Sequence, residues 1–305
     1  MTWCGILASV SPIIVCVPGS EDHAARLASQ LHIPIANLEV RRFPDGEFYC
    51  RLHDDMRDRD VLVVSTLDNP TDKFLLVAFI AETARDLGAK RVGLIAPYLS
   101  FMRQDIRFHP GEGITSVYFA KMMSRVFDWL ITVDPHLHRH PSLAPPYTIP
   151  TAIAHAAPAV AAWIKANIEQ PIVIGPDAES LQWVSAVAEH LGTPHLVLEK
   201  IRRGDRDVSI SRPNVMWGDR TPVILDDIIS TGRTMLGAVE QVVAQGARPP
   251  VCIGIHPVFA DAVGTALHDA GARCVVSCNT ITHPTNAICV SRELAQTTRT
   301  LLWNT

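Results

Sequence analysis

Short apolar runs rich in β-branched residues alternate with segments of helical spacing along almost the whole chain. A short, continuous apolar run is typical of a strand buried on both faces, and such strands occur in parallel sheets that are covered by helices. The alternation therefore predicts an α/β fold made of mostly parallel sheets flanked by helices. The predicted strands are Ile13–Val17, Val61–Ser65, Arg91–Ala96, Trp129–Val133, Pro171–Ile174, Pro222–Leu225, Val251–Ile255 and Arg273–Ser277. The predicted helices are Asp22–Leu31, Lys73–Leu87, Ser116–Arg125, Ser180–His190, Met235–Gln245 and Ala260–Ala270.

The length of 305 residues favours two domains, and a hydrophobic content of 48% indicates a sizeable core. A segment rich in Pro and Ala, Pro141–Pro158, is where we expect the junction between them. The predicted domains are residues 1–148 and 149–305, and each would carry about four strands. The alternation looks like a duplicated α/β unit, although no strict sequence period is visible.

Composition also bears on location and partners. A net charge of −4 gives no reason to expect nucleic-acid binding. Seven scattered cysteines without a paired spacing indicate reduced thiols, and hence a cytoplasmic protein. The apolar stretch Ile6–Val17 lacks a basic leader and is too short to span a bilayer, so we expect no membrane association.

Residues 223–234 carry the most specific pattern for function. A buried strand ends in Asp226 and Asp227, and a turn rich in hydroxyl groups, Ser230–Thr234, leads into a helix. The start of a helix presents free N–H groups and a partial positive charge, and Gly232 lets the backbone approach an anion. The acids suit ribose hydroxyls or a metal ion. The stretch therefore predicts a site for a sugar phosphate.

Polar groups also stand at other turns and strand ends of the first half. Asp45-Gly46 lies between two short extended runs, which is a strong hairpin signal, so these residues could serve only as a turn. Arg103 and Gln104 follow a predicted strand, where an Arg suits polyphosphate and a solvated loop is the alternative.

Three histidines with alternate spacing, His136, His138 and His140, follow the strand that ends at Val133. They could ligate a metal ion or be loop residues without that role; a single histidine with a distant carboxylate would suit a magnesium site bridged to phosphates. Asp177 comes at the end of another buried strand. Lys200 and Arg202 belong to a charged stretch of a kind that is often only solvated.

Taken in order, these motifs resemble those of the ribose-phosphate pyrophosphokinase family. The series is Phe-x-Asp-Gly-Glu, Arg-Gln-Asp, Asp-x-His, Pro-Asp, Lys-x-Arg and Asp-Asp-Ile-Ile-Ser-Thr-Gly, and it runs from about Ile13 to about Leu294. The resemblance implies two similar domains of the type I phosphoribosyltransferase fold, with a β-hairpin flap in the first. It also implies a homo-oligomer, a dimer or a hexamer built from dimers, in which the hairpin reaches a neighbouring subunit's site.

The resemblance further implies a reaction: transfer of the diphosphoryl group of magnesium ATP to the 1-hydroxyl of ribose 5-phosphate, for nucleotide biosynthesis. Lys200 and Arg202 would be catalytic. ATP would be held by Phe43, Asp45, Gly46, Glu47, Arg103 and Gln104, Mg²⁺ by His136 and Asp177, and ribose 5-phosphate by Asp226, Asp227, Ser230, Thr231, Gly232, Arg233 and Thr234.

The chain departs from the usual family pattern at several points. Arg233 replaces a glycine, Pro135 replaces a leucine, and residues 106–112 replace a basic stretch. We expect Arg233 either to strain the backbone or to add a charge that faces the phosphate. These departures are similar to those of divergent archaeal and plant-like branches, and they leave the hexamer and control by phosphate or ADP open. A non-catalytic regulatory homologue and a phosphoribosyltransferase are the alternative functions.

Overall fold

The computed structural model describes residues 11–139, 141–198, 200–202, 208–210 and 217–303. Two compact units divide the chain. The first contains residues 1–132, 139–153 and 294–305, and the second contains 133–138 and 154–293. The chain therefore passes between the units more than once, close to the histidine motif.

The first sheet has five strands in the order β1-β4-β5-β6-β7, and the pairs β1–β4, β4–β5 and β5–β6 are parallel. Its central strands are almost fully buried, as their continuous apolar runs predict. The strands are β1 (Ile13–Cys16), β4 (Asp60–Val64), β5 (Arg91–Ala96), β6 (Trp129–Val133) and β7 (Thr151–Ala154). The helices of this part of the chain are α1 (Glu21–Leu31), α2 (Pro70–Asp86) and α3 (Thr115–Val126).

A two-stranded antiparallel hairpin projects from the sequence between β1 and β4. It consists of β2 (Leu38–Arg42) and β3 (Phe48–Leu52), and Arg42 pairs with Phe48 across the turn. Gly46 in this turn has a φ of +94°, which only glycine adopts without strain. The hairpin predicted from Asp45-Gly46 is therefore confirmed.

The second sheet has six strands in the order β15-β14-β13-β12-β8-β9, and all neighbouring pairs are parallel. The strands are β8 (Pro171–Gly175), β9 (His195–Val197), β12 (Thr221–Ile229), β13 (Val251–Pro257), β14 (Cys274–Cys278) and β15 (Asn286–Ile288). A separate antiparallel pair is formed by β10 (Lys200–Arg202) and β11 (Val208–Ile210). The helices are α4 (Ala157–Asn167), α5 (Leu181–Leu191), α6 (Arg233–Ala244) and α7 (Asp261–Asp269), and the last helix of the chain is α8 (Ser291–Trp303).

Helix α6 packs its apolar face on the second sheet. Met235, Ala238, Val239 and Val242 are buried, at the i, i+3, i+4, i+7 spacing of one helix face. Val243, next to Val242, is 38% exposed and lies off this face. The predicted helix is confirmed.

The predicted fold class is confirmed, since parallel sheets flanked by helices occur in both parts of the chain. Two helices, α4 and α8, were not predicted, and α4 begins at the end of the expected junction segment. Within the described ranges, no helix has the length and apolar character needed to cross a membrane.

Candidate functional site

Two neighbouring carboxylates, the half-buried Asp226 and the buried Asp227, lie near the end of β12 in the second unit. The sequence predicted a strand that ends before the two acids. The observed strand continues to Ile229 and therefore contains Asp226 and Asp227. Pairing explains the extension, because Asp226 is paired with Gly254 and Ile228 with His256 on β13. The acids are therefore held by sheet hydrogen bonding, not by a free loop.

The two acids differ in the direction of their pKa shifts. Burial raises the pKa of Asp226 well above its usual range, and the neighbouring charges of Asp227 and Asp177 add to this effect. Burial alone would also raise the pKa of Asp227, but the contact with His136 and the nearby His256 lower it overall. The pKa values of the two neighbouring carboxyl groups are thus moved in opposite directions.

A tight turn connects these acids to helix α6. Gly232 has a φ of +73°, and a Cβ placed on it would lie 2.3 Å from Cγ1 of Val263. Backbone conformation and space therefore both require glycine here. Arg233 is the first residue of α6 and is exposed, and it is not among the residues with positive φ. The structure thus shows no backbone strain at Arg233, and a contact of its side chain with a phosphate stays a prediction.

The start of α6 has the properties of an anion site. Gly232 at the cap position offers no side-chain acceptor, and the first turn contains no acidic residue. A positive side chain such as Arg233 is unfavourable beside the positive end of a helix unless an anion lies between or near them. Ser230 and Thr231 precede the turn and add hydroxyl donors.

Two histidines lie next to Asp227, and the three side chains together could hold a metal ion. Nδ1 of His136 lies 2.6 Å from Oδ2 of Asp227, and Nε2 of His138 lies 3.0 Å from Nδ1 of His136. One ligand atom from each of these residues lies within 4.8 Å of the others. Burial lowers the pKa of His138, which favours the neutral imidazole that a metal ion requires. Two imidazoles and one carboxylate are a donor set that fits a divalent cation.

The turn that carries the histidines is fixed by Asp134. This residue is buried and has a φ of +26°. Its carboxylate accepts a hydrogen bond from the N–H of Ala156 at 2.8 Å and lies 2.9 Å from Nδ1 of His155. Its carbonyl accepts a hydrogen bond of 3.1 Å from Nε2 of His256.

Sequence reasoning missed His155, His256 and Glu179. His256 lies at the end of a buried strand, as Asp177 does, and that position was the available signal. Burial lowers the pKa of His256, which favours the neutral imidazole. Its Nε2–H donates the hydrogen bond to the carbonyl of Asp134. Glu179 lies 3.4 Å from Nε2 of His138.

Asp177 follows β8 and helps to shape the turn after it. It caps the short turn Ala178–Ser180, where its Oδ1 accepts a hydrogen bond from the N–H of Glu179 at 3.1 Å. Among the described residues it is not a member of the His136, His138 and Asp227 group. The negative charge of Asp177 contributes to the raised pKa of Asp226. A metal role for Asp177 stays a prediction.

Lys200 and Arg202 lie on β10, and Lys200 pairs with Ile210 of β11. Their side chains, like the whole of His140, lie outside the residues that the structure describes.

In the first unit, the hairpin turn presents residues 43–47, all of them exposed. The N–H of Phe43 donates to the carbonyl of Glu47 at 2.7 Å, and Oδ1 of Asp45 accepts from the N–H of Glu47 at 3.1 Å. Asp45 therefore shapes the turn through its side chain. The guanidinium of Arg41 lies 5.8 Å from the ring centre of Phe43 and 4.5 Å from that of Tyr49.

A second candidate segment of the first unit follows β5. Arg103 is exposed, and Oε1 of Gln104 accepts a hydrogen bond from Oγ1 of Thr115 at 3.3 Å. Asp105 is buried and lies 2.8 Å from Nη1 of Arg139. This contact anchors the segment and leaves the side chain of Arg103 facing solvent.

The fold and these strand-end groups define a class, the α/β proteins built from phosphoribosyltransferase-type domains. Residues 147–295 match the phosphoribosyl transferase domain family, and residues 13–126 match the N-terminal domain of ribose phosphate pyrophosphokinase. The chain is 37% identical to the ribose-phosphate pyrophosphokinase of Saccharolobus solfataricus over 84% of its own length and 88% of that protein. It is 32% identical to the enzyme of the same name from Sulfurisphaera tokodaii, over 86% of this chain and 90% of that one.

The chain belongs to the ribose-phosphate pyrophosphokinase family, as its motif series predicted. The fold agrees with a solved structure, that of the phosphoribosylpyrophosphate synthetase from Mycobacterium smegmatis. The TM-score is 0.85 at 22% identity, and the match covers 97% of this chain and 100% of the other. The predicted enzyme class is confirmed at the level of the family.

Proposed function

We propose that the chain transfers the β,γ-diphosphoryl group of magnesium ATP to the 1-hydroxyl of ribose 5-phosphate, which gives phosphoribosyl pyrophosphate and AMP. The observation that carries this proposal is the arrangement around β12. There, the start of helix α6 follows the Asp226 and Asp227 carboxylates along the chain, and Asp227 contacts His136. Family membership supports the same reaction.

Ribose 5-phosphate would occupy the turn and helix start of the second unit. Backbone N–H groups, the hydroxyls of Ser230, Thr231 and Thr234, and Arg233 would hold its phosphate. Asp226, whose pKa is raised by burial, would hold ribose hydroxyls through its carboxyl oxygens. Asp227, whose pKa is lowered, would act as an acceptor only.

The cation would be held by His136 and Asp177, next to His138 and Asp227. When bound, magnesium would act as a Lewis acid and neutralise phosphate charge. The role of His136 depends on the turn at Asp134, which the hydrogen bond from His256 holds in place.

ATP would be held by the exposed hairpin residues 43–47 and by Arg103 and Gln104. Lys200 and Arg202 would neutralise charge on the transferred and leaving oxygens. In-line attack of the sugar oxygen on the β-phosphorus needs positioning and charge compensation, and no side-chain nucleophile is required. We assign no general base.

The remaining parts of the proposal concern organisation. We infer a domain division between residues 148 and 149, a cytoplasmic location and a role in nucleotide biosynthesis. We also infer a homo-oligomer, a dimer or a hexamer built from dimers. Exposed apolar side chains on α2, Leu75 and Phe79, support an assembly contact of the first unit.

The test combines a direct assay with one variant and its control. Purified protein with magnesium ATP and ribose 5-phosphate should release AMP and form phosphoribosyl pyrophosphate, and release should need both substrates. Lys200→Ala should lower turnover by roughly two orders of magnitude or more, because one lost charge contact in a transition state costs about 3–4 kcal/mol. Ribose 5-phosphate binding should persist.

Lys165→Ala is the matched control, since Lys165 is an exposed lysine of α4. Near-normal turnover of Lys200→Ala would remove Lys200 from the mechanism. Absence of AMP from the wild-type protein would indicate a regulatory homologue. Consumption of phosphoribosyl pyrophosphate with a base would indicate a phosphoribosyltransferase.

A further inference from the structure

We propose that His136, His138 and Asp227 form a site with two imidazoles and one carboxylate for a divalent transition-metal ion, and that His138 favours such an ion over Mg²⁺. The site differs from the His136 and Asp177 pair given by the family resemblance. The proposed site adds detail to the proposed function. Only the part that the ion plays in the reaction rests on that function, whereas binding of the ion does not.

The distances suit a single ion. The two neighbouring ligand pairs are 2.6 Å and 3.0 Å apart, from His136 to Asp227 and from His138 to His136. In an octahedral site with bonds of about 2.1 Å, adjacent ligand atoms lie roughly 3 Å from each other. An ion could therefore contact all three atoms after small side-chain shifts.

The hydrogen-bond pattern of the three groups is incomplete without a cation. Nδ1 of His136 has either a proton or a lone pair. If Nδ1 carries a proton and donates to Asp227, it has no lone pair to accept a hydrogen bond from Nε2 of His138. If Nδ1 instead accepts from Nε2 of His138, it has no proton to donate to the carboxylate of Asp227. One proton on Nδ1 thus satisfies one of the two contacts, whereas a cation is attracted to all three atoms.

The three side chains are largely shielded from solvent, as the ligands of a preformed metal site are. The exposed fractions of the side chains are 18% for His136, 9% for His138 and 4% for Asp227. Glu179 is an alternative partner for His138, but its Oε2 is 3.4 Å away and its side chain is 58% exposed. An exposed ion pair contributes little, so it does not explain why a histidine is held in this position.

The surroundings orient His138 further. Its ring meets the indole of buried Trp183 edge to face, with ring centres 5.8 Å apart. Nε2 of Gln182 donates a hydrogen bond of 3.4 Å to the carbonyl of Leu137, the residue between the two histidines. Supporting contacts of this kind fix ligand geometry and tune affinity.

The choice of ion follows from ligand chemistry. Imidazole nitrogen binds the later first-row ions and zinc well, whereas Mg²⁺ prefers oxygen ligands and retains its waters. Most nitrogen- and oxygen-containing sites bind Co²⁺ more tightly than Mg²⁺. A preference for Co²⁺ alone therefore does not show that His138 is a ligand. The informative quantity is the ratio of Co²⁺ affinity to Mg²⁺ affinity, compared between the wild-type protein and a variant without His138.

The experiment uses the full chain, freed of metal with a chelator and then dialysed. Co²⁺ is titrated in, and its visible absorption reports nitrogen ligation directly, without any substrate. Competition by Mg²⁺ gives the second affinity. We expect His138→Ala to weaken Co²⁺ binding about tenfold or more and Mg²⁺ binding less than about threefold, while His136→Ala weakens both.

His190→Ala is the matched control, because His190 is an exposed histidine on α5. It should leave both affinities unchanged. If His138→Ala fails to fold, as judged by its thermal transition, His138→Gln replaces it, since an amide is a poor ligand for these ions. Unchanged Co²⁺ affinity, or an equal loss for both ions, would overturn the proposal.

The result can be separated from that of the proposed function. If the wild-type protein releases no AMP with any metal, the proposed reaction fails. The Co²⁺ spectra and affinity ratios still decide whether His138 is a ligand.

Discussion

Gly232→Ala should destabilise the second unit strongly, for two separable reasons. The φ of Gly232 is +73°, and an alanine in this left-handed conformation costs roughly 1–2 kcal/mol. The new Cβ would lie 2.3 Å from Cγ1 of Val263 on α7, and overpacking of this kind costs about 1–3 kcal/mol. The expected loss in the free energy of unfolding is therefore roughly 2–5 kcal/mol.

Gly246→Ala measures the backbone contribution alone. Gly246 follows α6 with a similar φ of +76°, and nothing lies within 4 Å of the position that its Cβ would occupy. A loss of about 1 kcal/mol lowers the melting temperature by about 2–4 °C for a unit of this size. Gly232→Ala should lower it at least twice as far as Gly246→Ala does.

Val263→Ala tests the steric contribution, because it removes the atom that the new Cβ would meet. The double variant Gly232→Ala/Val263→Ala should recover at least about 1 kcal/mol relative to the sum of the single variants. Thermal unfolding monitored by circular dichroism gives these values, and ribose 5-phosphate binding reports the turn itself. Equal melting temperatures for the two glycine variants, with no rescue by Val263→Ala, would refute the reasoning.

Two further predictions concern the turn at Asp134. The hydrogen bond to Asp134 raises the pKa of His155, so the stabilising effect of His155 should be fully present below about pH 6.5 and fade as pH rises through the raised pKa. Unfolding of His155→Gln and wild type at pH 5.5 and 8.5 measures this, and a difference that grows with pH would contradict it. His256→Leu removes the donor to the carbonyl of Asp134 and should cost about 1–3 kcal/mol in unfolding free energy. It should also weaken Co²⁺ binding relative to Leu267→Ala, a core change elsewhere in the unit; equal Co²⁺ affinity would show that the turn needs no support from His256.

Local patterns were sufficient for most of the sheets. Strands such as β5 and β6 were predicted with their observed bounds, because a strand buried on both faces must be continuously apolar. Helix α4 was missed because its Ala-rich sequence has a weakly segregated apolar face, and because its first turn, with Pro158, falls in the expected junction segment. A proline in the first turn of a helix is compatible with helical structure.

The sequence by itself determined the α/β fold, the hairpin turn and the glycine turn at the start of α6, because each depends on residues that are close in the chain. Only the tertiary structure decided which groups meet at the site. His136 and Asp227 are 91 positions apart, and the packing of residues 133–138 within the second unit brings them to 2.6 Å. Burial and neighbouring charges there move the pKa of Asp226 up and the pKa of Asp227 down. The tertiary structure also showed that Arg233 has an unstrained helical backbone, because Gly232 takes the left-handed conformation before it.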